Sequence, residues 1–316
     1  MSTWTGKYKT GLKPVQAQPR LMLSRYYTSD LPTVESLKYP LGHADLVKPE
    51  LYLNATLGDC AIAGSQEEVR YVNALRGVTV NFTDKTAAEN YSAITGYEPG
   101  PEIEGFNEDG SAITNPDAPP NPTDQGTDVH ELFEYRQSTG IIDADGNGHK
   151  VIAYAGLTPG DWDEMLIALS LFQIVGIGIQ VPDYAEEQFE AGHAWHLVQG
   201  RHQIIGGHYI PPWGASSYNE AQLPTWGGEG AITAPFYQAM NTVAVVALTA
   251  EMFKDGPAGV DFEKLAHDLP ELNTGPVMAK APRGKPRAKV SVDGVDQGPG
   301  KAGTRPDDAH PGERIG

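Results

Sequence analysis

A single cysteine constrains both how this chain of 316 residues can fold and what chemistry it can perform. Because Cys60 has no partner in the chain, no internal disulfide is possible, and a hydrophobic core must hold the fold together. The hydrophobic share of 40% is sufficient for one large core or two smaller ones. A lone thiol is either a small buried apolar group or a nucleophile, and its surroundings decide between the two.

Cys60 stands where a helix is expected to begin. Residues 60–76 place apolar side chains on one helical face, and Gly77 is a suitable residue to end the helix. Asp59 is expected to cap the helix, with its carboxylate turned back onto the first turn. A thiol in that first turn faces unpaired N–H groups and the positive end of the helix dipole, which favour the thiolate.

Strands are expected to dominate the second half of the chain. Residues 174–181 alternate large aliphatic side chains with small residues, which predicts a strand that another part of the chain approaches closely. Further strands are expected near residues 203–210 and 243–248. Capping patterns at Asp128 and Asp161 predict helices over residues 128–139 and 161–171.

The segment of residues 98–127 is rich in proline and aspartate and is predicted to be a loop between helical stretches. It contains no substrate motif, although it is placed to overhang a groove. Its acidic residues, Asp124 among them, are expected to be solvated charges.

A cysteine nucleophile needs a base to take its proton, and His208 is the best candidate in the sequence. It follows two glycines, Gly206 and Gly207, inside a predicted strand. Glycines at these positions allow another part of the backbone to approach closely.

Three segments together resemble the papain-like cysteine peptidases, in particular a divergent group from bacteria and their phages. They are Leu-Gly-Asp-Cys-Ala-Ile-Ala-Gly at residues 57–64, Gly-Gly-His at 206–208 and Thr-Trp-Gly at 225–227. The resemblance implies an α+β fold in which a helical subdomain carrying Cys60 packs on an antiparallel β-barrel-like subdomain carrying His208. It also implies an active site in the groove between them.

The same resemblance implies roles for further residues. The oxyanion-hole amide falls on Asn54, six residues before Cys60, where the family usually has glutamine. Pro224 falls on the family's catalytic asparagine, and proline has no side-chain acceptor to orient the Nδ1–H group of His208. The third catalytic residue is therefore missing, replaced by Thr225, or supplied from elsewhere, for example by Asn219. The groove is expected to include Gly58, Asp59, Trp195, Gly207 and Trp226, although core packing is the default role for the two tryptophans.

These residues predict a thiol-dependent hydrolase, a peptidase or amidase, acting on a peptide or peptidoglycan-like substrate without a cofactor. The alternative is a catalytically impaired papain-like scaffold that serves as a binding protein or a phage virion structural protein. Pro224 and the absence of a recognisable inhibitory propeptide favour the alternative. Asn54, Cys60 and His208 favour the enzyme.

Two apparent metal sites are not expected to bind metal. Residues 143–148 match the first half of an EF-hand calcium loop, but position twelve is Tyr154 instead of glutamate, which favours a glycine-rich hairpin turn. A group of four histidines lacks the cysteines or carboxylates that would complete a tetrahedral zinc site. The four are His193, His196, His202 and His208.

Charge and hydropathy restrict the partners. The formal net charge of −18 argues against nucleic-acid binding. The N-terminal residues contain no apolar run, so we expect no signal peptide, no transmembrane segment and no membrane partner. The expected location is cytoplasmic or virion-associated, with possible virion partners.

The predicted organisation has four parts. They are an extension over residues 1–50, a papain-like domain over 51–255 (helical half about 51–157, β-rich half about 172–255), a short helical segment over 256–274 and a disordered tail over 275–316.

Overall fold

Two four-stranded antiparallel sheets and a layer of helices make up the fold of residues 6–273, the part of the chain that the computed structural model describes. The predicted tail, residues 275–316, lies outside the described residues. The helices, numbered in chain order, are α1 Cys60–Ala74, α2 Asp84–Thr95, α3 Val129–Ser138, α4 Trp162–Phe172, α5 Ala185–Glu190, α6 Ala234–Met240, α7 Met252–Asp255 and α8 Phe262–Asn273. Two 3₁₀ turns, Leu23–Tyr26 and Val34–Ser36, precede them.

The strands, also in chain order, are β1 Leu41–Gly42, β2 Ile103–Phe106, β3 Ala112–Thr114, β4 Ile141–Ile142, β5 Gly148–His149, β6 Ala153–Leu157, β7 Gly176–Pro182, β8 Ile204–Ile210, β9 Gly214–Ser217, β10 Glu220–Thr225, β11 Gly228–Thr233 and β12 Asn241–Leu248. One sheet has the order β6-β12-β7-β8 and the other β1-β9-β10-β11. The described strands form open sheets and no closed barrel, so the expected α+β class is confirmed and its barrel-like description is loose. No helix among the described residues is long and apolar enough to cross a bilayer.

Local sequence signals account for the starts of α2, α3 and α4. Asp128 accepts hydrogen bonds from the backbone N–H groups at the start of α3, and Asp161 does the same for α4, as predicted. Helix α2 was not predicted, although Thr83 forms a capping box with Thr86 and Gly96 ends the helix at a positive φ of 76°. The predicted loop over residues 98–127 also contains the short hairpin β2–β3.

Tyr209 joins the helical layer to the sheet. It lies on β8, directly after His208, and its ring packs between Gly64 of α1 and Gly176 of β7. A Cβ atom on Gly176 would lie 1.9 Å from the Tyr209 hydroxyl oxygen, so only glycine fits there. The close approach predicted from the glycine alternation of β7 is therefore confirmed.

A buried charge network holds this tyrosine in place. Tyr209 Oη donates a hydrogen bond of 2.6 Å to Glu68 of α1, and Arg136 of α3 donates one of 2.7 Å to the other oxygen of the same carboxylate. All three side chains are buried. The network therefore ties α1, α3 and β8 together.

We predict that Gly176→Ala destabilises the protein by about 1–3 kcal/mol, because the added methyl group overlaps the Tyr209 hydroxyl. The same substitution should cost less in a Tyr209→Phe background, where the hydroxyl is absent. Urea denaturation of the four proteins of this double-mutant cycle measures the difference. Equal costs in both backgrounds would contradict the proposed overlap.

Candidate active site

Cys60, His208 and Thr225 line one small cavity between α1 and the strands β8 and β10, with a volume of about 20 Å³. His208 Nε2 lies 2.8 Å from Thr225 Oγ1, within hydrogen-bond distance. His208 Nδ1 is buried and has no hydrogen-bond partner among the described residues. The ring is thus held through Nε2, not through Nδ1 as the sequence argument assumed.

The other two candidates for the third position lie elsewhere. Pro224 is part of β10, where it pairs with Glu229, and it lines the same cavity without offering a side-chain acceptor. Asn219 stands between β9 and β10, where its backbone N–H donates to Ser217 Oγ. Of the three candidates, Thr225 is the side chain that contacts His208.

Two tryptophans enclose the imidazole. The Trp226 ring lies 5.1 Å from the His208 ring at a tilt of 33°, and the Trp195 ring lies 6.4 Å away, edge to face. Trp195 is almost fully buried, and its indole N–H donates to the Ala185 carbonyl. Both rings restrict the movement of His208, and Trp195 does so from inside the core.

Asn54 and Asp59 form a buried pair beside the thiol. Asn54 Nδ2 donates a short hydrogen bond to Asp59 Oδ1, and the carboxyl makes no bond to the first turn of α1. The expected capping role of Asp59 is therefore wrong. Its backbone, at φ −95° and ψ 15°, lacks the extended conformation from which a cap side chain reaches the helix N–H groups. Asp59 instead orients the Asn54 amide, whose Nδ2 makes no other hydrogen bond to the residues that the structure describes.

Burial decides the protonation of the thiol and the imidazole. Burial raises the pKa of Cys60 to about 12. Backbone hydrogen bonds from Tyr209 and Gly11 lower this pKa, but their effect is smaller than that of burial. Burial also lowers the pKa of His208 to about 3. The predicted thiolate is therefore wrong for this conformation. The helix dipole contributes about 2 kcal/mol at most, whereas the rise in the Cys60 pKa corresponds to about 4 kcal/mol.

The thiol is buried because residues 7–13, called here the N-terminal strap, run along the groove over it. The strap donates backbone hydrogen bonds from Lys9 to the Asn54 carbonyl at 2.7 Å and from Leu12 to the Gly207 carbonyl at 2.9 Å. On its other side it exchanges two backbone hydrogen bonds with Thr127. Cys60 is consequently 1% exposed. No motif in the sequence predicts this position.

Side-chain contacts also hold the strap. Tyr8 stacks on Trp226 with ring centroids 4.9 Å apart, and its hydroxyl donates to Glu190 at 2.6 Å. Gly11 is packed so closely that a Cβ atom would lie 1.7 Å from the Gly58 carbonyl oxygen. Of the five predicted groove residues, Gly58, Gly207 and Trp226 contact the strap, whereas Asp59 and Trp195 are enclosed.

Sequence reasoning missed several residues that shape the site. Asp124 accepts hydrogen bonds from the Gly58 N–H at 3.0 Å and from Tyr91 Oη at 2.7 Å, so its expected role as a solvated charge is wrong. Tyr209 donates its backbone N–H to Cys60 Sγ at 3.5 Å. Neither role has a local sequence signal, because each depends on a partner more than 30 residues away.

Hydrogen bonds within the fold involve several residues of the two apparent metal sites. Asp143 accepts hydrogen bonds from the backbone of residues 145 and 147 within the β4–β5 hairpin, so the predicted turn is confirmed. His196 and His202 contact Gln188 and Asp183 respectively. Within residues 6–273, no group of three or more His, Cys, Asp or Glu side chains is arranged to hold a metal ion.

Comparison with solved structures identifies the fold. Xylellain, a cysteine protease from Xylella fastidiosa, matches 79% of this chain and 99% of its own length, with a TM-score of 0.56 and 12% identity. This chain has the papain-like fold. Procathepsin B S9 from Trypanosoma congolense (13% identity, 75% of this chain and 86% of that one) and a Carica candamarcensis cysteine protease (11% identity, 67% and 99%) also match, with TM-scores of 0.49 and 0.45.

The likeness to these proteases lies in structure and not in sequence identity. No protein-family model matches the sequence, and the curated proteins include no significant relative. At 12% identity, the likeness to xylellain establishes the fold and leaves activity to be argued from the site itself.

We predict that Asp59→Asn stabilises the protein increasingly as the pH rises. Burial raises the pKa of Asp59 from its ordinary value of 3.8 to about 8. Between these values the folded state holds a proton that the unfolded state has lost, so the wild type loses stability as pH rises, by a few kcal/mol in total. Asparagine keeps the acceptor for Asn54 and cannot ionise.

Thermal melting across this pH range checks the prediction. The difference in melting temperature should be small near pH 4 and largest near pH 8. Asp117→Asn, at an exposed residue, is the matched control and should follow the wild type. Parallel melting curves for Asp59→Asn and the wild type would refute the assignment.

Proposed function

We propose that this protein hydrolyses amide bonds in peptides through a thioester at Cys60, with His208 as the base. One observation carries the proposal: Thr225 holds His208 through Nε2, while Nδ1 is unpartnered in the cavity that Cys60 also lines. A base that is fixed through one nitrogen and free at the other is what a neighbouring thiol needs to transfer its proton.

The reaction follows from these positions. Cys60 Sγ attacks the substrate carbonyl carbon as its proton passes to His208 Nδ1. The Cys60 backbone N–H and the second N–H of Asn54 Nδ2 stabilise the resulting oxyanion. His208 then returns the proton to the leaving amine as the C–N bond breaks. A water molecule, deprotonated by His208, next attacks the thioester, the C–S bond breaks to release the acid, and Cys60 takes the proton back from His208.

The strap supports a peptide as the substrate. Its backbone makes hydrogen bonds to the carbonyl oxygens of Asn54 and Gly207 and to both backbone groups of Thr127. These groups line the groove and are available to any extended chain once the strap leaves, as in recognition by strand addition. Peptides, including the peptide stems of peptidoglycan-like polymers, offer the same backbone groups.

Catalysis requires the strap to move. In the closed groove, burial holds Cys60 as a thiol and His208 as a neutral imidazole. Displacing the strap returns water to the site and removes the desolvation that causes both pKa shifts. The helix dipole and the imidazole then favour the ion pair.

The covered thiol also favours a second candidate function. If Cys60 and His208 stay neutral even when the strap is displaced, the chain is a catalytically impaired papain-like scaffold that acts as a binding protein or in a virion. The 1% exposure of Cys60 is the observation behind this alternative. The two functions differ in the reactivity of Cys60 once the strap is displaced.

We predict that Gly11→Val makes Cys60 react rapidly with iodoacetamide near pH 6. The valine side chain overlaps the Gly58 carbonyl and displaces the strap, and thermal melting of the variant establishes that the rest of the protein stays folded. Adding His208→Ala should remove the fast reaction, because the thiol then loses its base. Gly105→Val is the matched control, since a Cβ atom at Gly105 meets nothing within 4 Å.

The two functions give different results in this experiment. Rapid alkylation that depends on His208, with turnover of casein or peptidoglycan that Cys60→Ala abolishes, supports the hydrolase. A thiol in Gly11→Val that reacts no faster than a free cysteine supports the scaffold and rejects the hydrolase.

Thr225 is proposed as a positioning residue that acts through His208. We predict that Thr225→Val lowers kcat by about tenfold or more with little change in KM, because the isosteric side chain cannot bond Nε2. Thr225→Ser keeps the hydroxyl and should retain most of the activity. Equal kcat values for the two variants, measured in the Gly11→Val background, would show that the hydroxyl does not position the base.

A further inference from the structure

A second and much larger cavity lies along the C-terminal part of α1. Its volume is about 270 Å³, compared with about 20 Å³ for the cavity at Cys60. Small-molecule sites begin at roughly 300 Å³, so this cavity is close to the size of a binding site.

One face of α1 forms a wall of the cavity. Glu68, Val69, Val72 and Asn73 line it with the spacing of a single helical face, and Arg76 lines it from the turn that follows the helix. Phe172 of α4 and Met252 of α7 add large apolar surface to the lining. A molecule bound in the cavity therefore contacts apolar side chains as well as charged groups.

Cationic side chains outnumber anionic ones among the described residues that line the cavity. Arg76, Arg136 and Lys150 face Glu68 and Glu251. Arg136 is bonded to Glu68 at 2.7 Å, and Arg76 lies 3.8 Å from Glu251 at the exposed rim. Lys150 has no carboxylate within salt-bridge distance in the described part of the chain. One positive charge is left over in a protein whose net charge is −18.

Arg136 also has unused hydrogen-bonding capacity. Its Nη1 donates to Glu68 and Ser65, but its buried Nε has no partner among the described residues. Leaving a buried charged donor unpaired is unfavourable, but this Nε atom is closed off from the cavity, so the charged groups that a ligand can reach are those at the exposed rim.

From this combination of size, apolar wall and charge, we propose that the cavity binds a small organic acid with one carboxylate and an apolar body. The carboxylate is placed against Lys150 and Arg76, and the apolar body against Val69, Val72 and Phe172. A single carboxylate matches the one unpaired positive charge. A phosphate dianion would leave excess negative charge beside Glu68 and Glu251.

NMR titration of the full chain with matched acids and alcohols tests this site, which does not depend on the proposed hydrolase activity. The probes are hexanoate and 4-phenylbutyrate, with 1-hexanol and 4-phenyl-1-butanol as their uncharged analogues. We expect at least one acid to bind about tenfold more tightly than its alcohol, the difference that a charge-assisted hydrogen bond provides. Inorganic phosphate alone should not compete.

Three variants locate the binding. Arg76→Met combined with Lys150→Met changes only rim side chains and should reduce acid binding to the level of the alcohol. Val72→Phe fills the cavity and should weaken both acid and alcohol. Lys85→Met, an exposed lysine of α2, is the control and should leave binding unchanged.

Several results would overturn the proposal. They are the absence of saturable binding by either acid, equal binding of acid and alcohol, competition by inorganic phosphate, or unchanged binding in both cavity variants. Thermal melting of each variant establishes whether it is folded. If Val72→Phe does not fold, the double variant Arg76→Met/Lys150→Met still tests the proposal.

Discussion

The hydrogen bond between Tyr209 Oη and the buried Glu68 carboxylate sets the geometry on which the candidate site depends. Glu68 belongs to the helix that begins at Cys60, and Tyr209 is the neighbour of His208 on β8. Arg136 neutralises the carboxylate from a third element. Removing one member of such a buried ionic group typically costs about 3–5 kcal/mol, because a charge is left uncompensated. The contact between Tyr209 and Glu68 therefore positions Cys60 next to His208, although neither of these two residues takes part in it.

Desolvation is the dominant electrostatic effect in the closed groove. The start of a helix and a nearby imidazole both favour a thiolate, but full burial under the strap opposes charge on either group. The same effect keeps Asp59 protonated well above the ordinary range of a carboxyl. Three ionisable groups at one site are therefore held neutral by the same strap and core. Water entering the groove changes all of them together.

How far the sequence predicted the structure depends on whether the signal was local. Asp128 and Asp161 cap their helices as expected, because a cap needs only residues two or three positions ahead. The glycines of β7 correctly indicated a close contact, but not that Tyr209 and Leu12 would make it. Asp59 has a typical capping residue type, yet its backbone conformation and the neighbouring Asn54 gave it another role.

The sequence by itself determined the elements and the chemistry available to them. One thiol stands at a helix start, one histidine lies in a glycine-flanked strand, and the order of elements resembles the papain-like fold. Only the tertiary structure decided how these groups are used. It placed Thr225 against Nε2 of His208, turned Asp59 towards Asn54 and laid residues 7–13 over Cys60. Long-range contacts and burial set these features, and neither is encoded in a local pattern of residues.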